Sequence, residues 1–441
     1  MSAKTVSSDQ APVSVLRPFF IAGIVTVLSV GCLLGAIALF GIAARGSYVA
    51  SEWTPYVLAH ANSQLFGWVG FFIMGFAMQQ HGTSLARQRS FEAVATGALV
   101  SMGLGIGLRF IAEPLAKSDP AVGVPLGVVS GLLQVVAVAL FVYNTSVNRY
   151  RKPGPLTWPT AFVFGSLGCL VLVTLAEPVV FVMSHQAQAQ DSILFVARWF
   201  TPLREVQFLG FVSMMVFGVA ASKFSSCLGF EPANKALGVS AFVLWLGGLT
   251  CRVLGWLSYF DMGMAPRGDG LYRLGAALLF LGALAMTVSL RVFDPVRDTN
   301  PSQKFIRSAF VWLLVAGVML VGEPLRLSQI GMPFSHAYIG AIRHAVTVGF
   351  ISQMILGVGL HAATRFRGVP VAAVSTLGGA WFLINAGNTG RVVLEVLTDT
   401  MPAAFQPMGM TGFVELVGLA LWANVMLRLL VPRKVAHVFS C

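Results

Sequence analysis

Twelve apolar stretches, each long enough to cross a lipid bilayer, recur along this chain. They fall at about 18–43, 57–80, 93–113, 123–143, 158–183, 203–222, 236–260, 271–291, 308–323, 337–361, 369–389 and 411–430. With 56% hydrophobic and 10% charged residues, the chain is far from an ordinary soluble domain, where roughly 25% are charged. The connections are short, so residues 1–441 read as one all-α integral membrane domain of twelve transmembrane helices.

A second regularity is superposed on the first. The run His60-Ala61-Asn62-Ser63-Gln64-Leu65-Phe66-Gly67 continues through Gly75; 143 residues later Gln207-Phe208-Leu209-Gly210 continues through Gly218. Another 139 residues on, Gly349 and Gly357 repeat the eight-residue glycine spacing. The same offsets carry Arg109 onto Arg252 and Arg252 onto Arg391. Three four-helix pseudo-repeats are therefore expected, at 18–143, 158–291 and 308–430. Only the first and third place a histidine near the start of the repeated helix, which points to a cofactor held between those two units.

Basic residues such as Lys4, Arg17, Arg89, Arg149, Arg151, Lys223, Arg307, Arg365 and Arg433 lie before the first span or after even-numbered ones. The opposite loops carry Glu52, Asp119, Asp191, Asp261 and Asp269. The positive-inside rule then predicts both termini in the cytoplasm of a bacterial inner membrane. Anionic lipid at the inner surface accounts for the +12 net charge without nucleic acid. Residues 1–17 read as polar and irregular, without a cleavable signal. Cys32, Cys169, Cys227, Cys251 and Cys441 form no Cys-x-x-Cys pair, which argues against a covalent c-type haem or an iron–sulfur cluster.

On this reading His60 and His344 begin even-numbered spans at the same depth on different helices. Two facing neutral imidazoles are suitable axial ligands for a low-spin b-type haem. Hydrogen bonding to a neighbouring helix is the plainer role for either ring. His81 and His361 close the same two spans and form a weaker second pair, for a second haem or simply for the interface. Arg109, Arg252 and Arg391 need counter-charges inside a membrane. Haem propionates would serve, as would Glu113, Glu177, Glu323 or Glu395, and Arg343 beside His344 is a further propionate candidate. The dipeptides Glu113-Pro114, Glu177-Pro178 and Glu323-Pro324 read first as helix ends. The donors for a copper site, if one exists, are His336 and His185, with Met332; surface histidines are the plainer reading.

The opening Arg17-Pro18-Phe19-Phe20, the run His60 to Gly67 and the run His344-Ala345-Val346-Thr347-Val348-Gly349 together resemble the NnrS family. That resemblance implies a haem- and copper-containing inner-membrane protein linked to nitric oxide metabolism and nitrosative stress. It also implies a fold similar to the catalytic subunit I of haem–copper oxidases. Ala59, Asn62 and Ser63 stand where the family motif often has tryptophan, a second histidine and glutamate. Histidine is absent from 203–260, so the oxidase-type copper and oxygen-reducing centre is not expected. The functional expectation is a haem protein in nitric oxide handling, with a redox or gas-binding role, membrane lipid around it and a redox partner. The alternative is a transporter of a metal, haem or small anion, which polar residues within spans and internal repeats also suit.

Overall fold

Helix and hydropathy coincide along the chain. The computed structural model describes residues 15–48, 51–85, 89–151, 153–185, 189–265, 269–296, 300–369 and 377–431. Lys4, Arg433 and Cys441 lie outside them. Eleven helices among the described residues are long and apolar enough to cross a membrane. They are α1 (Leu16–Arg45), α2 (Thr54–His81), α3 (Ser90–Ser118), α4 (Pro120–Arg151), α5 (Trp158–Ser184), α6 (Gln190–Leu228), α7 (Lys235–Asp261), α8 (Gly270–Ser289), α9 (Pro301–Ile330), α10 (His336–Arg367) and α12 (Pro402–Leu430). Between the last two lies α11 (Leu377–Leu397), of membrane-crossing length but more polar, because Asn385, Asn388, Arg391 and Glu395 interrupt it.

Local chemistry sets many of the helix ends. Asn300 caps α9 in a reciprocal box with Gln303, Ser335 accepts from the Tyr338 N–H at the start of α10, and Asn234 does the same with Leu237 for α7. Each such cap satisfies an amide that would otherwise lack a partner, for about 1 kcal/mol. Gly46, Gly229, Gly331 and Gly368 close α1, α6, α9 and α10 with φ of 66–74°, a conformation that a Cβ would penalise.

Two expectations about helix ends are corrected. Pro114, Pro178 and Pro324 lie inside α3, α5 and α9, which run on for four to six residues beyond each. In a bundle, neighbouring helices and local adjustment absorb the missing hydrogen bond, so proline need not end a membrane helix. The eleventh span, expected at 369–389, is helical at Leu377–Leu397. Its polar C-terminal half is buried against protein rather than set in a loop: Asn388, Arg391 and Glu395 are all buried. Residues 370–376 are outside the described part.

The helices form a closed ring around a central trio. Neighbours pack as α3 on α4, α4 on α5, α7 on α8, α8 on α9 and α11 on α12, and α12 returns to α1. In the most apolar stretch of each helix, 67% of residues are buried in α2, 61% in α6 and 72% in α10, against 33–44% in the other eight of the eleven. Each inner helix also carries a π-helical segment: Ser63–Val69, Val206–Ser213 and Ala345–Ser352. Their starts are 143 and 139 residues apart, the same offsets as the glycines.

The glycines have a physical reason to be where they are. A Cβ on Gly67 would strike Thr26 of α1, on Gly210 it would lie 2.8 Å from Cys169 Sγ of α5, and on Gly349 2.5 Å from Trp312 Cγ of α9. Eight residues on, Gly75, Gly218 and Gly357 would meet the Cβ atoms of Phe19, Phe162 and Phe305 at 2.6, 3.1 and 3.3 Å. Thr26, Cys169 and Trp312 are 143 residues apart, and so are Phe19, Phe162 and Phe305. Each inner helix thus docks its outer partner through two glycines, because dispersion between close backbones must supply what lipid cannot.

Candidate functional site

Six to nine residues before the ends of α3, α7 and α11, Arg109, Arg252 and Arg391 turn inward, and each meets carboxylate. Arg109 Nε donates to Glu113 Oε1 at 2.7 Å and its Nη2 lies 3.3 Å from Glu177 Oε2 on α5. Glu177 Oε1 accepts from Gln207 of α6 at 2.9 Å, and His185 Nε2 lies 3.6 Å from Glu113. Arg252 donates from Nε and Nη2 to Glu205 Oε1 of α6 at 3.0 and 2.8 Å, and from Nη1 to Glu323 Oε2 of α9 at 3.2 Å. Its Nη2 also donates to the Tyr272 hydroxyl at 2.5 Å. Of the counter-charges open from sequence, the glutamates are the ones present.

The third cluster is built differently. Arg391 Nη2 donates to Glu395 Oε1 at 2.8 Å within its own helix. The neighbouring α1, which occupies the place that α5 and α9 take beside the other two arginines, contains no acidic residue. Arg391 Nε and Nη1, Glu395 Oε2, Glu415 Oε1 of α12 and both amide atoms of Asn388 are buried without a hydrogen-bond partner. Buried polar groups are nearly always satisfied by protein, water or ligand. This concentration therefore marks a place where something else binds, be it water or a larger group. Cys32 of α1, which lies 3.9 Å from the Gly412 carbonyl, borders the same region.

Both leading histidines face that cluster. His60 Nδ1 donates to the Gly31 carbonyl of α1 at 2.8 Å, and its ring lies against Gly35, where a Cβ would collide with it. His344 Nδ1 donates to the Gly340 carbonyl at 2.9 Å and sits 3.4 Å from Glu395 Oε2. A Cβ on Gly340 would strike that carboxylate, so glycine there admits Glu395 to the side of α10. His60 is within electrostatic reach of both His344 and Arg391. The two histidines are level: eight residues beyond each, Trp68 Nε1 donates to Ser352 Oγ at 3.1 Å, joining α2 to α10. Trp68 packs edge-on to Phe72 and Trp422 and floors the space beneath. His60 and His344 stay half-buried although α2 and α10 are the most buried helices of the bundle.

The second histidine pair is not brought together. His81 Nε2 bonds Thr145 Oγ1 of α4 at 3.1 Å, whereas His361 lines a small cavity with Gln80, Lys223 and Cys227. Both ring nitrogens of His361 lack a hydrogen-bond partner. His185 belongs to the Arg109 cluster, His336 stacks edge-on to Phe334, and Met332 is exposed, so the three copper candidates have separate surroundings. Among the described residues, no group of three or more His, Cys, Asp or Glu side chains is placed to hold a metal. Arg343 of α10 makes no hydrogen bond through its guanidinium among the described residues.

Sequence reasoning missed Asn388, Glu415, Glu205 and Cys32. The available signal was spacing: Asn388, Arg391 and Glu395 fall at three- and four-residue intervals on one face of α11, and Glu415 is the lone charge before Arg428 in α12.

No protein-family model matches the chain, and no curated protein matches it. It is an all-α chain with eleven to twelve long helices, consistent with a multi-spanning integral membrane protein.

Proposed function

We propose that the chain is a b-type haem protein of the bacterial inner membrane, with His60 and His344 as the axial pair. The observation that carries this reading is the matched state of the two rings. A backbone carbonyl can only accept, so the contacts to Gly31 and Gly340 make Nδ1 the protonated nitrogen of each and leave Nε2 as the lone-pair donor. Ligating histidines are oriented in this way by a carbonyl or carboxylate behind the ring. Glu395 adds a carboxylate behind His344, and Gly31, Gly35 and Gly340 keep the surroundings small.

The donor set fits the group. Held there, a haem supplies a one-electron couple and a strongly absorbing reporter. The protein's own part is to set the level of the two imidazoles through Trp68–Ser352, fix their tautomer, and offer Arg391 and Asn388 as unused donors beside them. A three-by-four plan of the oxidase subunit I kind supports the reading: the inner helices recur every fourth position, with π-segments and glycine contacts at matching offsets. The motifs at Arg17–Phe20, His60–Gly67 and His344–Gly349 add the NnrS resemblance, and with it a role in nitric oxide metabolism or nitrosative stress defence. Basic residues after even-numbered helices support cytoplasmic termini.

The test is the optical spectrum and metal content of the purified full-length chain, followed by its response to nitric oxide when reduced. Haem in stoichiometric amount and a spectral change or gas consumption support the reading. A haem-free preparation that moves a metal, haem or small anion across liposomes would instead support transport.

A further inference from the structure

The three inner helices reach the same level two residues before their π-helical segments, and the residues standing there are Ala61 on α2, Arg204 on α6 and Arg343 on α10. All three are half-buried on the most buried helices of the bundle. Of the charged groups around Arg343, Arg204 acts on it most strongly. Two guanidiniums thus approach each other on the bundle axis, with a methyl group at the third position.

The surrounding carboxylates are engaged elsewhere. Glu113 and Glu177 pair with Arg109, Glu205 and Glu323 with Arg252, and Glu395 with Arg391 and His344. Arg204 donates from Nη1 to Gln207 Oε1 at 2.6 Å, and neither Arg204 nor Arg343 has an ion pair within 4 Å among the described residues. Like charges facing each other in a membrane interior repel without screening, and an unpaired arginine there is costly. A planar fork of donors matches a carboxylate or small oxyanion bidentately.

We infer that Arg204 and Arg343 form a two-arginine clamp for the carboxylate or oxyanion end of a ligand, admitted by the small side chain of Ala61. Their neighbours in sequence, Glu205 and His344, are fixed by Arg252 and by Gly340 and Glu395, so the clamp is held on both helices by bonds outside it. The carboxylate comes either from a free anion or from a group that also reaches the adjoining His60 and His344.

Formate, the smallest carboxylate, is titrated into the cofactor-free full-length protein in detergent micelles, with thermal unfolding as the readout. Cofactor content after expression is measured in parallel for wild type, R204Q and R343Q. A free-anion site raises the wild-type midpoint with formate, and each variant needs about tenfold more, the loss of one charge-assisted bidentate contact. A cofactor-borne carboxylate leaves formate without effect and lowers cofactor content in both variants. If a glutamine variant does not fold, R204K and R343K, which keep the charge but lose the fork, are compared in the same way. Wild type indifferent to formate together with unchanged cofactor content in the variants overturns the inference. A formate response in a chain that never binds haem upholds it while the haem assignment fails.

Discussion

Arg252→Met removes the only cation that Glu205 and Glu323 share. Arg252 is 1% exposed and Glu323 3%, and the guanidinium makes four hydrogen bonds to Glu205, Glu323 and Tyr272, with the Tyr272 ring centroid 3.6 Å from Cζ. Removing one partner of a buried pair strands the other charge, at about 3–5 kcal/mol. The control is Arg198–Asp261, which has the same 2.8 Å contact as Arg252–Glu205 but side chains 40% and 48% exposed. Arg198→Met should cost about 0–1 kcal/mol, because solvent already screens that pair. Reversible unfolding of the full chain by a denaturing detergent in mixed micelles measures both. The triple variant R252M/E205Q/E323Q should recover part of the loss, since no charge is left unpaired. Equal costs for R252M and R198M, or a triple variant worse than R252M, would refute the reasoning that α6, α7 and α9 are locked by this cluster.

Valine at Gly67, Gly210 or Gly349 should lower the thermal midpoint in all three cases, through collision with Thr26, Cys169 and Trp312; Gly103→Ala, which meets nothing within 4 Å, should stabilise by up to about 1 kcal/mol through helix propensity. Gly340→Ala should lower the haem recovered per chain by pushing Glu395 away from His344, with folding checked by gel filtration. Tyr48, in the loop after α1, has its hydroxyl pushed up to about 12, by burial first and by the charge of Glu395 second. Below the ordinary value near 10 its contribution to stability is complete, and it is lost as pH rises through about 12, so Tyr48→Phe should flatten the fall in stability over that alkaline window.

Much of the fold was legible because membrane helices announce themselves by length and because close helix approach demands small residues. The offsets read from Gly67, Gly210 and Gly349 return as helix contacts at matched partners. The prolines misled, since Pro178 and Pro324 break a local rule that neighbours in a bundle relax. α11 was misplaced because a hydropathy reading trims polar residues, and Asn388, Arg391 and Glu395 are polar and buried at once. The partners of Arg109 and Arg252 on the next helix could only be offered as alternatives, as Glu177 and Glu323 lie 68 and 71 residues away. Nothing local distinguishes Glu415 or Arg204 from a solvated charge; only packing puts them beside the histidines.

The most direct test of the central assignment is the reduced-minus-oxidised spectrum of the purified chain beside H60A and H344A. A bis-histidine low-spin haem b signature in wild type that is lost or converted to high spin in both variants is the predicted result. An unchanged low-spin spectrum in either variant, or a correctly folded wild type that contains no haem, would contradict it.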